Sequence, residues 1–425
     1  MIWILLVLLL LLLSLGVPVA FSLGMSVVLY LLLEARFPLN VVMDTSMAGA
    51  SSFPMLALPL YILVGYLMEL GSTPRLMRLA NAVLGRLPGG LAVATVGAST
   101  MFGAVSGSGI ATIAAVGSVT GPEMVRRGYD RAYSAALLAA AGSLGVLIPP
   151  SIPLVVYGLT GNVSIGVLFI ATIIPGLITA AMIAASAMGL AWWKNYGERT
   201  PFSGSELLRA AVDALPPLTL PVLIVGGILS GIFTATEAAA IGVAYAAFLA
   251  TVVYREMTFA RLFSILQKTA ITTAIIMLII ALSASFAWLV TINHVPQMVA
   301  DSILSITDTP ILVYLMILFI LLVLGTAMET TSIIIITTPI FLPILIAMGY
   351  NPVVYGILLV MNMIIGGMSP PVAVAIYAAS RIVDVRPSQT NKWMLLFIVP
   401  MLVSMLVHLA FPELTLWLPR VMGIR

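Results

Sequence analysis

A chain of 425 residues that is 62% hydrophobic and only 8% charged is excluded from the soluble globular class, whose members average about 25% charged residues. Its net charge of +3 comes from basic residues gathered in a few short stretches, a membrane-topology signal that gives no warrant for nucleic-acid binding. With no cysteine and two histidines, disulfides, thiolate metal sites and cysteine catalysis are excluded, and a histidine-built metal or proton-relay site is not expected.

A membrane crossing takes about 20 apolar residues, so the apolar run 2–33 is too long for one untilted helix. Gly16 and Pro18, within 14–18, divide it into two short crossings. The first run lacks a positive n-region and a small-residue cleavage site, so it reads as part of the mature protein. The same division recurs in 217–254, where 231–236 separates two apolar runs, and 54–70 and 270–290 supply a third crossing in each half. Residues 89–124 and 310–348 behave differently. Each has two apolar arms around a polar tip, Ser106, Gly107, Ser108 and Gly109 in the first and 325–332 in the second. A helix interrupted by glycine and proline follows each: 132–158, containing GSLGVLIPPSIPLVVY, and 352–380, containing IGGMSPPVAVAIY.

These stretches are copies of each other. At a spacing of 221 residues Gly128-Tyr129 falls on Gly349-Tyr350, Gly145 on Gly366, and Pro149-Pro150 on Pro370-Pro371. With one residue inserted, Pro74 meets Pro296 and Pro88 meets Pro310. Glycine and proline set backbone geometry, so the repeated feature is a chain path. The units are 1–210 and 211–425.

Lys and Arg gather on the cytoplasmic side of a membrane. If both hairpin segments are re-entrant, 15 of the 18 basic residues, in 75–86, 126–131, 194–209, 255–268 and 381–392, fall on that side, and both termini fall outside. A full crossing within each segment leaves the same parity, so the re-entrant reading rests also on the polar tips. Five crossings separate equivalent points of the two units, and an odd number inverts them. The expected fold is therefore an all-α polytopic membrane protein of two inverted repeats, each with a re-entrant hairpin and a broken helix. Hairpins and broken helices would form a transport domain and the other crossings a scaffold. Broken helices of inverted repeats meeting at the midplane are how secondary transporters expose backbone groups to ions and anions.

At the first tip, hydroxyl and carbonyl oxygens gather at a chain reversal, a setting for Na+; small residues allowing close helix packing is the plain alternative. The tip faces the break, where proline frees backbone carbonyls, so Leu147, Pro149 and Pro150 join the candidate ion ligands, against a kink simply capped by Ser151. The second candidate ion site combines Thr326, Glu329, Thr330 and Thr331 with Gly366, Gly367 and Ser369. An intramembrane carboxylate is a functional candidate, yet Thr326-x-x-Glu329 also reads as a capping box. Thr234-x-x-Glu237 fits the same box with no tip beside it, and reads as structural. Candidate substrate contacts are Ser108, Ser143, Ser151, Ser332, Asn362 and Pro371, with an interhelical hydrogen bond the stronger reading for Asn362. His408 reads as structural. No HExxH, GxSxG or Walker loop is present, so metalloprotease, hydrolase and ATP-driven pump each lack their central part.

The residues 16–21 (GVPVAF), 102–108 (FGAVSGS), 144–151 (LGVLIPPS), 231–240 (GIFTATEAAA) and 369–372 (SPPV) give the chain its resemblance to a known family. It resembles the large membrane subunit of tripartite ATP-independent periplasmic (TRAP) transporters, the dicarboxylate and sialic-acid uptake systems. It departs from that pattern at Ala235, where a proline is expected, and at Glu329, where an aspartate is. The resemblance implies an elevator mechanism in the cytoplasmic membrane, Na+ coupling, a small four-helix membrane partner, a soluble periplasmic substrate-binding protein and a small organic carboxylate as substrate. Cation coupling suits such a substrate, because an inside-negative potential opposes anion entry by about 2.3 kcal/mol per charge per 100 mV. With no Lys or Arg expected in the core, Na+ and helix N-termini must counter the carboxylate. The rivals are a self-sufficient sodium-carboxylate symporter or antiporter and a membrane scaffold subunit with no transport of its own.

The charge pattern makes a topological prediction. In this cysteine-free chain, Tyr129→Cys is expected to react with an impermeant maleimide only from the cytoplasm and Gly349→Cys only from outside. Labelling of both from one face would rule out the inversion.

Overall fold

The computed structural model describes residues 2–34, 37–51, 53–194, 196, 201–307, 309–326, 328–370 and 373–423, and every regular element among them is helical. Helices α1 (Ile2–Ser14) and α2 (Val19–Glu34) are divided at Gly16 and Pro18, as the sequence suggests. A short helix not anticipated from the sequence, α3 (Asn40–Ala50), docks on the second unit. There Ser46 Oγ lies 2.7 Å from Ser285 Oγ, and Thr45 donates to the same hydroxyl at 2.9 Å. Helix α4 (Ala57–Leu84) breaks at Leu70 and Gly71, where the expected third crossing ends; the rest continues as an arm held by the Arg75 guanidinium over the Tyr254 ring at 3.9 Å.

The first hairpin is α5 (Gly90–Ser106) and α6 (Gly109–Arg126), followed by the broken helix α7 (Arg131–Ser143) and α8 (Ile152–Thr160). Helices α9 (Ile165–Ala171) and α10 (Ile173–Lys194) close the first unit. The second repeats this order. After α11 (Gly204–Leu229) and α12 (Ala235–Phe248), helix α13 (Phe259–Ile292) ends at Asn293 and His294, and a short α14 (Val295–Leu304) follows, as the arm of α4 follows Gly71. The second hairpin is α15 (Pro310–Gly325) and α16 (Thr330–Ala347), and the second broken helix is α17 (Pro352–Met368) and α18 (Val374–Ile382). Helices α19 (Asn391–Ala410) and α20 (Pro412–Val421) end the chain's described part.

Six helical stretches among the described residues are long and apolar enough to cross a membrane. The leading arms of the hairpins are not among them: α5 and α15 have 17 and 16 residues, about 25 Å of helix against a hydrocarbon core of about 30 Å.

The repeated glycines and prolines have local causes. Gly128 and Gly349 sit at φ +83° and +84°, left-handed positions that end α6 and α16. In both, the glycine amide and the next tyrosine amide return to the last turn: Gly128 N to Val125 O at 3.1 Å and Tyr129 N to Met124 O at 3.0 Å, Gly349 N to Ile346 O at 2.9 Å and Tyr350 N to Leu345 O at 2.9 Å. This is a Schellman stop. The next residue starts the following helix: Asp130 accepts from Tyr133 N at 2.9 Å, and Asn351 from Val353 N at 2.8 Å. Further along, each hairpin crosses its broken helix backbone to backbone. A Cβ on Gly103 would lie 2.7 Å from Gly145 Cα, and one on Gly366 would lie 2.8 Å from the Gly325 backbone.

Backbone cannot yield as a flexible side chain can, so overpacking here costs about 1–3 kcal/mol. Gly145→Ala and Gly366→Ala are each expected to destabilise the purified protein by that amount in thermal unfolding. Gly189→Ala, in the middle of α10 with nothing within 4 Å of the added carbon, should not. Two wild-type melting curves at the crossings would remove them as packing constraints.

Candidate substrate and ion site

The two tips and the two breaks meet around one cavity of about 260 Å³. The first tip contributes Gly107, Ser108 and Gly109, the second Met328, Glu329, Thr330 and Thr331. The first break adds Ser143, Val146 and Ile152, the second Met363, Gly367 and Val374, and α13 forms a wall with Thr272 and Ile276. The first turns of four helices, α6 at Gly109, α8 at Ile152, α16 at Thr330 and α18 at Val374, all face this space. A helix N-terminus carries unpaired amides and roughly half a positive charge.

At the first tip Gly107 takes φ +63° and the chain reverses. A Cβ there would run into the Pro150 carbonyl, while Ile152 N donates to Gly107 O at 3.3 Å, so tip and break are in direct backbone contact. Three oxygens gather behind the tip. Thr112 donates to Ser108 O at 2.7 Å, and the buried Ser106 hydroxyl lies 3.2 Å from Thr112 Oγ1 and 3.4 Å from Ser108 O. Ser108 caps α6, accepting from Ala111 N at 3.4 Å.

The break itself is satisfied by hydroxyls. Leu147 O accepts from Thr172 at 2.8 Å, and Val146 O accepts from Ser151, which also caps α8 through Leu154 N at 3.4 Å. Pro149 and Pro150 are buried. Ser143 lines the cavity with its hydroxyl directed at Ala139 O, 2.7 Å away.

The second tip differs from its expected form. Thr326 and Glu329 form no capping box: Thr326 donates to Val323 O one turn back at 2.8 Å. Glu329 is instead the N-cap of α16, accepting from Thr331 N at 2.9 Å, Ser332 N at 3.2 Å and the Thr331 hydroxyl at 2.9 Å. A carboxylate three residues beyond a threonine satisfies the box pattern, but α16 starts after Glu329 and so makes it the cap. At the spacing of 221 residues it occupies the position of Ser108, the cap of α6. Gly366 is the crossing residue, and Ser369 donates to Ile365 O at 2.8 Å. Asn362, fully buried, donates to Leu318 O of α15 at 2.6 Å, the interhelical bond expected of it. Pro371 lies outside the described residues. The box at Thr234 and Glu237 does form, and His408 bonds Ser404 O at 2.7 Å within its own helix.

Of the sequence candidates, Gly107, Ser108, Gly109, Ser143, Glu329, Thr330, Thr331 and Gly367 line the cavity, while Ser106, Leu147, Pro149, Pro150, Ser151, Thr326, Ser332, Asn362, Gly366 and Ser369 do not. Two further residues belong to this region: Thr112 behind the first tip and Thr272 in the cavity wall. Thr112 stands one helical turn after Ser108, a spacing that was readable; Thr272, bonded to Tyr66 Oη at 3.1 Å, lies on an unbroken apolar helix with no local signal.

A profile of the tripartite ATP-independent periplasmic transporter, DctM component, matches residues 6–414. The chain belongs to this family. It is 38% identical to the isethionate TRAP transporter permease protein DctMQ of Oleidesulfovibrio alaskensis over 95% of its own length, and spans 64% of that relative. It is 35% identical to the sialic acid TRAP transporter large permease protein SiaM of Vibrio cholerae, and 38% identical to the C4-dicarboxylate TRAP transporter large permease protein DctM of Pseudomonas aeruginosa, each over 95% of both chains. Among solved structures, the Alcanivorax borkumensis YdaH transporter shares the fold at 14% identity, with a TM-score of 0.59 over 89% of this chain and 90% of that one. Membership in the DctM family makes the chain an integral, multi-pass membrane protein of a transporter family and not an enzyme.

The Glu329 cap is testable. Glu329→Ala is expected to cost about 1 kcal/mol at the start of α16, which speeds hydrogen exchange of the Thr331 and Ser332 amides roughly fivefold. Glu329→Asp should keep both amides protected. Unchanged exchange in Glu329→Ala would show that the carboxylate does not hold the turn.

Proposed function

We propose that the chain is the large membrane subunit of a Na+-coupled uptake system for a small organic carboxylate in a prokaryotic cytoplasmic membrane. The observation that carries this reading is the convergence of four helix N-termini on one cavity that, among the described residues, no Lys or Arg lines. Helix dipoles aimed at such a site favour an anion without a fixed positive charge. Sodium supplies both the missing charge and the driving force, since a dianion needs two Na+ merely to cancel its own charge.

The oxygens of Ser106, Ser108 and Thr112, within 3.4 Å of one another, suit a hard cation at the first tip. A carbonyl has two lone pairs, so the Thr172 bond leaves Leu147 O able to join them. The Glu329 carboxylate and the Thr331 hydroxyl offer oxygens at the second tip. Hairpins and broken helices would move as one body against a scaffold containing α4 and α13, the elevator motion. Names of relatives, the large permease proteins of TRAP systems, support a small four-helix membrane subunit and a soluble periplasmic receptor as partners.

The test is uptake of a carboxylate into proteoliposomes as a function of Na+ concentration. Ser106→Ala and Thr331→Ala are expected to raise the half-saturating Na+ concentration several-fold, with much of the rate returning at saturation; tenfold corresponds to about 1.4 kcal/mol. Thr234→Ala should lower protein yield and leave Na+ dependence alone. Uptake should need the receptor and the small subunit. Wild-type Na+ dependence in both tip variants would make the tips packing features, and full uptake by the chain alone would favour a self-sufficient symporter.

A further inference from the structure

We infer that Gly65 is the seat that holds the first hairpin tip against the scaffold in the arrangement seen in this structure, and that Ala287 is the shallower seat met by the second tip in the opposite arrangement. The moving body therefore rests by preference where it now stands. The inference rests on the proposed movement of hairpins and broken helices against a scaffold containing α4 and α13, and adds where that movement stops.

Gly65 is buried on α4, and a Cβ there would lie 2.7 Å from the carbonyl oxygen of Ser106, with the Ser106 carbonyl carbon and Cα next at 3.6 and 3.7 Å. Ser106 is the last residue of α5, so scaffold backbone meets the backbone of the tip. Residues three and four positions away stand one turn above and below on the same face of a helix. Here they are Tyr61, Ile62, Met68 and Glu69, and Gly65 is the only glycine of α4 before its break at Leu70 and Gly71. The Ser106 carbonyl thus sits in a notch between two ridges. A body that slides along α4 must lift out of the notch to leave.

The duplication locates the other stop. Two units with one chain path and opposite orientation can exchange arrangements, and the exchange carries the body from one face towards the other. The spacing that puts Pro74 on Pro296 lays α4 on α13 and puts Gly65 on Ala287. The second tip now stands nearer the start of α13, at the level of Thr272 and Ile276, with which it shares the cavity. Ala287 is eleven residues beyond Ile276, about three turns of helix, which places it on the same face roughly 16 Å further along. It is half-exposed there. A methyl group stands where α4 has its notch, and the residues one turn away, Ser283, Ala284, Val290 and Thr291, are each smaller than their counterparts Tyr61, Ile62, Met68 and Glu69. The two ends of the movement are therefore unequal in depth.

The chain has no cysteine, so nitroxides can be attached through Ser118→Cys on α6 and Ser230→Cys at the turn after α11, both exposed. Their distance distribution is measured by pulsed electron spin resonance on the purified full chain in lipid nanodiscs, with and without Na+. The otherwise wild-type chain is expected to give one dominant distance and a minor second one. Gly65→Ala should raise the ratio of the second to the first roughly fivefold or more, because the added carbon overpacks only the arrangement seen in this structure. Ala287→Gly should raise it several-fold by deepening the opposite seat; the lower helix propensity of glycine acts in both arrangements and cancels from the ratio. This second variant decides the matter if Gly65→Ala fails to fold. Gly24→Ala, whose added carbon would meet the flexible end of Leu282 at 3.2 Å within the scaffold, should leave the ratio unchanged. An unaltered ratio in both seat variants, or an equal rise in Gly24→Ala, would overturn the inference and leave the movement standing. One fixed distance in every variant, with and without Na+, would remove the movement and the inference with it.

Discussion

A helix broken inside a membrane leaves amides and carbonyls with no water to pair with, and each costs several kcal/mol if left alone. The centre of this protein is organised around meeting that demand. Ile152 N at the first break finds Gly107 O on the hairpin tip, Leu147 O finds the Thr172 hydroxyl, and Val146 O finds Ser151. Such pairing needs two backbones in contact, which the glycine crossings allow: Gly103 on Gly145 in one unit and Gly325 on Gly366 in the other. The carbonyls satisfied by hydroxyls are held in place, and the helix starts they flank stand around a common space.

The two units share geometry and differ in chemistry. Their stops and starts are superimposable in kind, with Gly128 and Gly349 ending the hairpins and Asp130 and Asn351 starting the broken helices. At equivalent tip positions, however, Ser108 caps α6 with a neutral hydroxyl while Glu329 caps α16 with a carboxylate. Thr112, whose hydroxyl joins Ser106 behind the first tip, corresponds at the same spacing to the apolar Ile333. A duplicated frame thus presents neutral oxygens on one side of the cavity and an acidic group on the other.

Arg78, on the arm of α4, joins Glu206 at 2.6 Å and Asp213 at 2.6 Å on α11. These pairs are exposed and contribute little stability singly; their geometry shows that the arm and the start of α11 lie side by side. The arm in turn covers α5, where Gly97 faces Leu84 and Ala80. By contrast α15 keeps Phe319 and Val323 exposed, so the two hairpins meet their surroundings differently although their internal frames agree.

The repeated frame was legible along the chain because glycine and proline act through local backbone geometry. Positive φ at Gly128 and Gly349, the breaks near Pro149 and Pro370, and the extent of both hairpins follow from residues within a few positions of each other. The box at Thr234 was legible for the same reason. Thr326 shows the limit of such reading: the pattern fitted, but α16 begins at Thr330, and that makes Glu329 the cap. Helix α3 escaped notice because its polar residues find partners 240 positions away, at Ser285. Thr272 entered the cavity wall only because α13 passes the two tips. The meeting of four helix starts around one space has no signature in any stretch of chain, since it depends on where segments from opposite ends of the sequence are brought together in three dimensions.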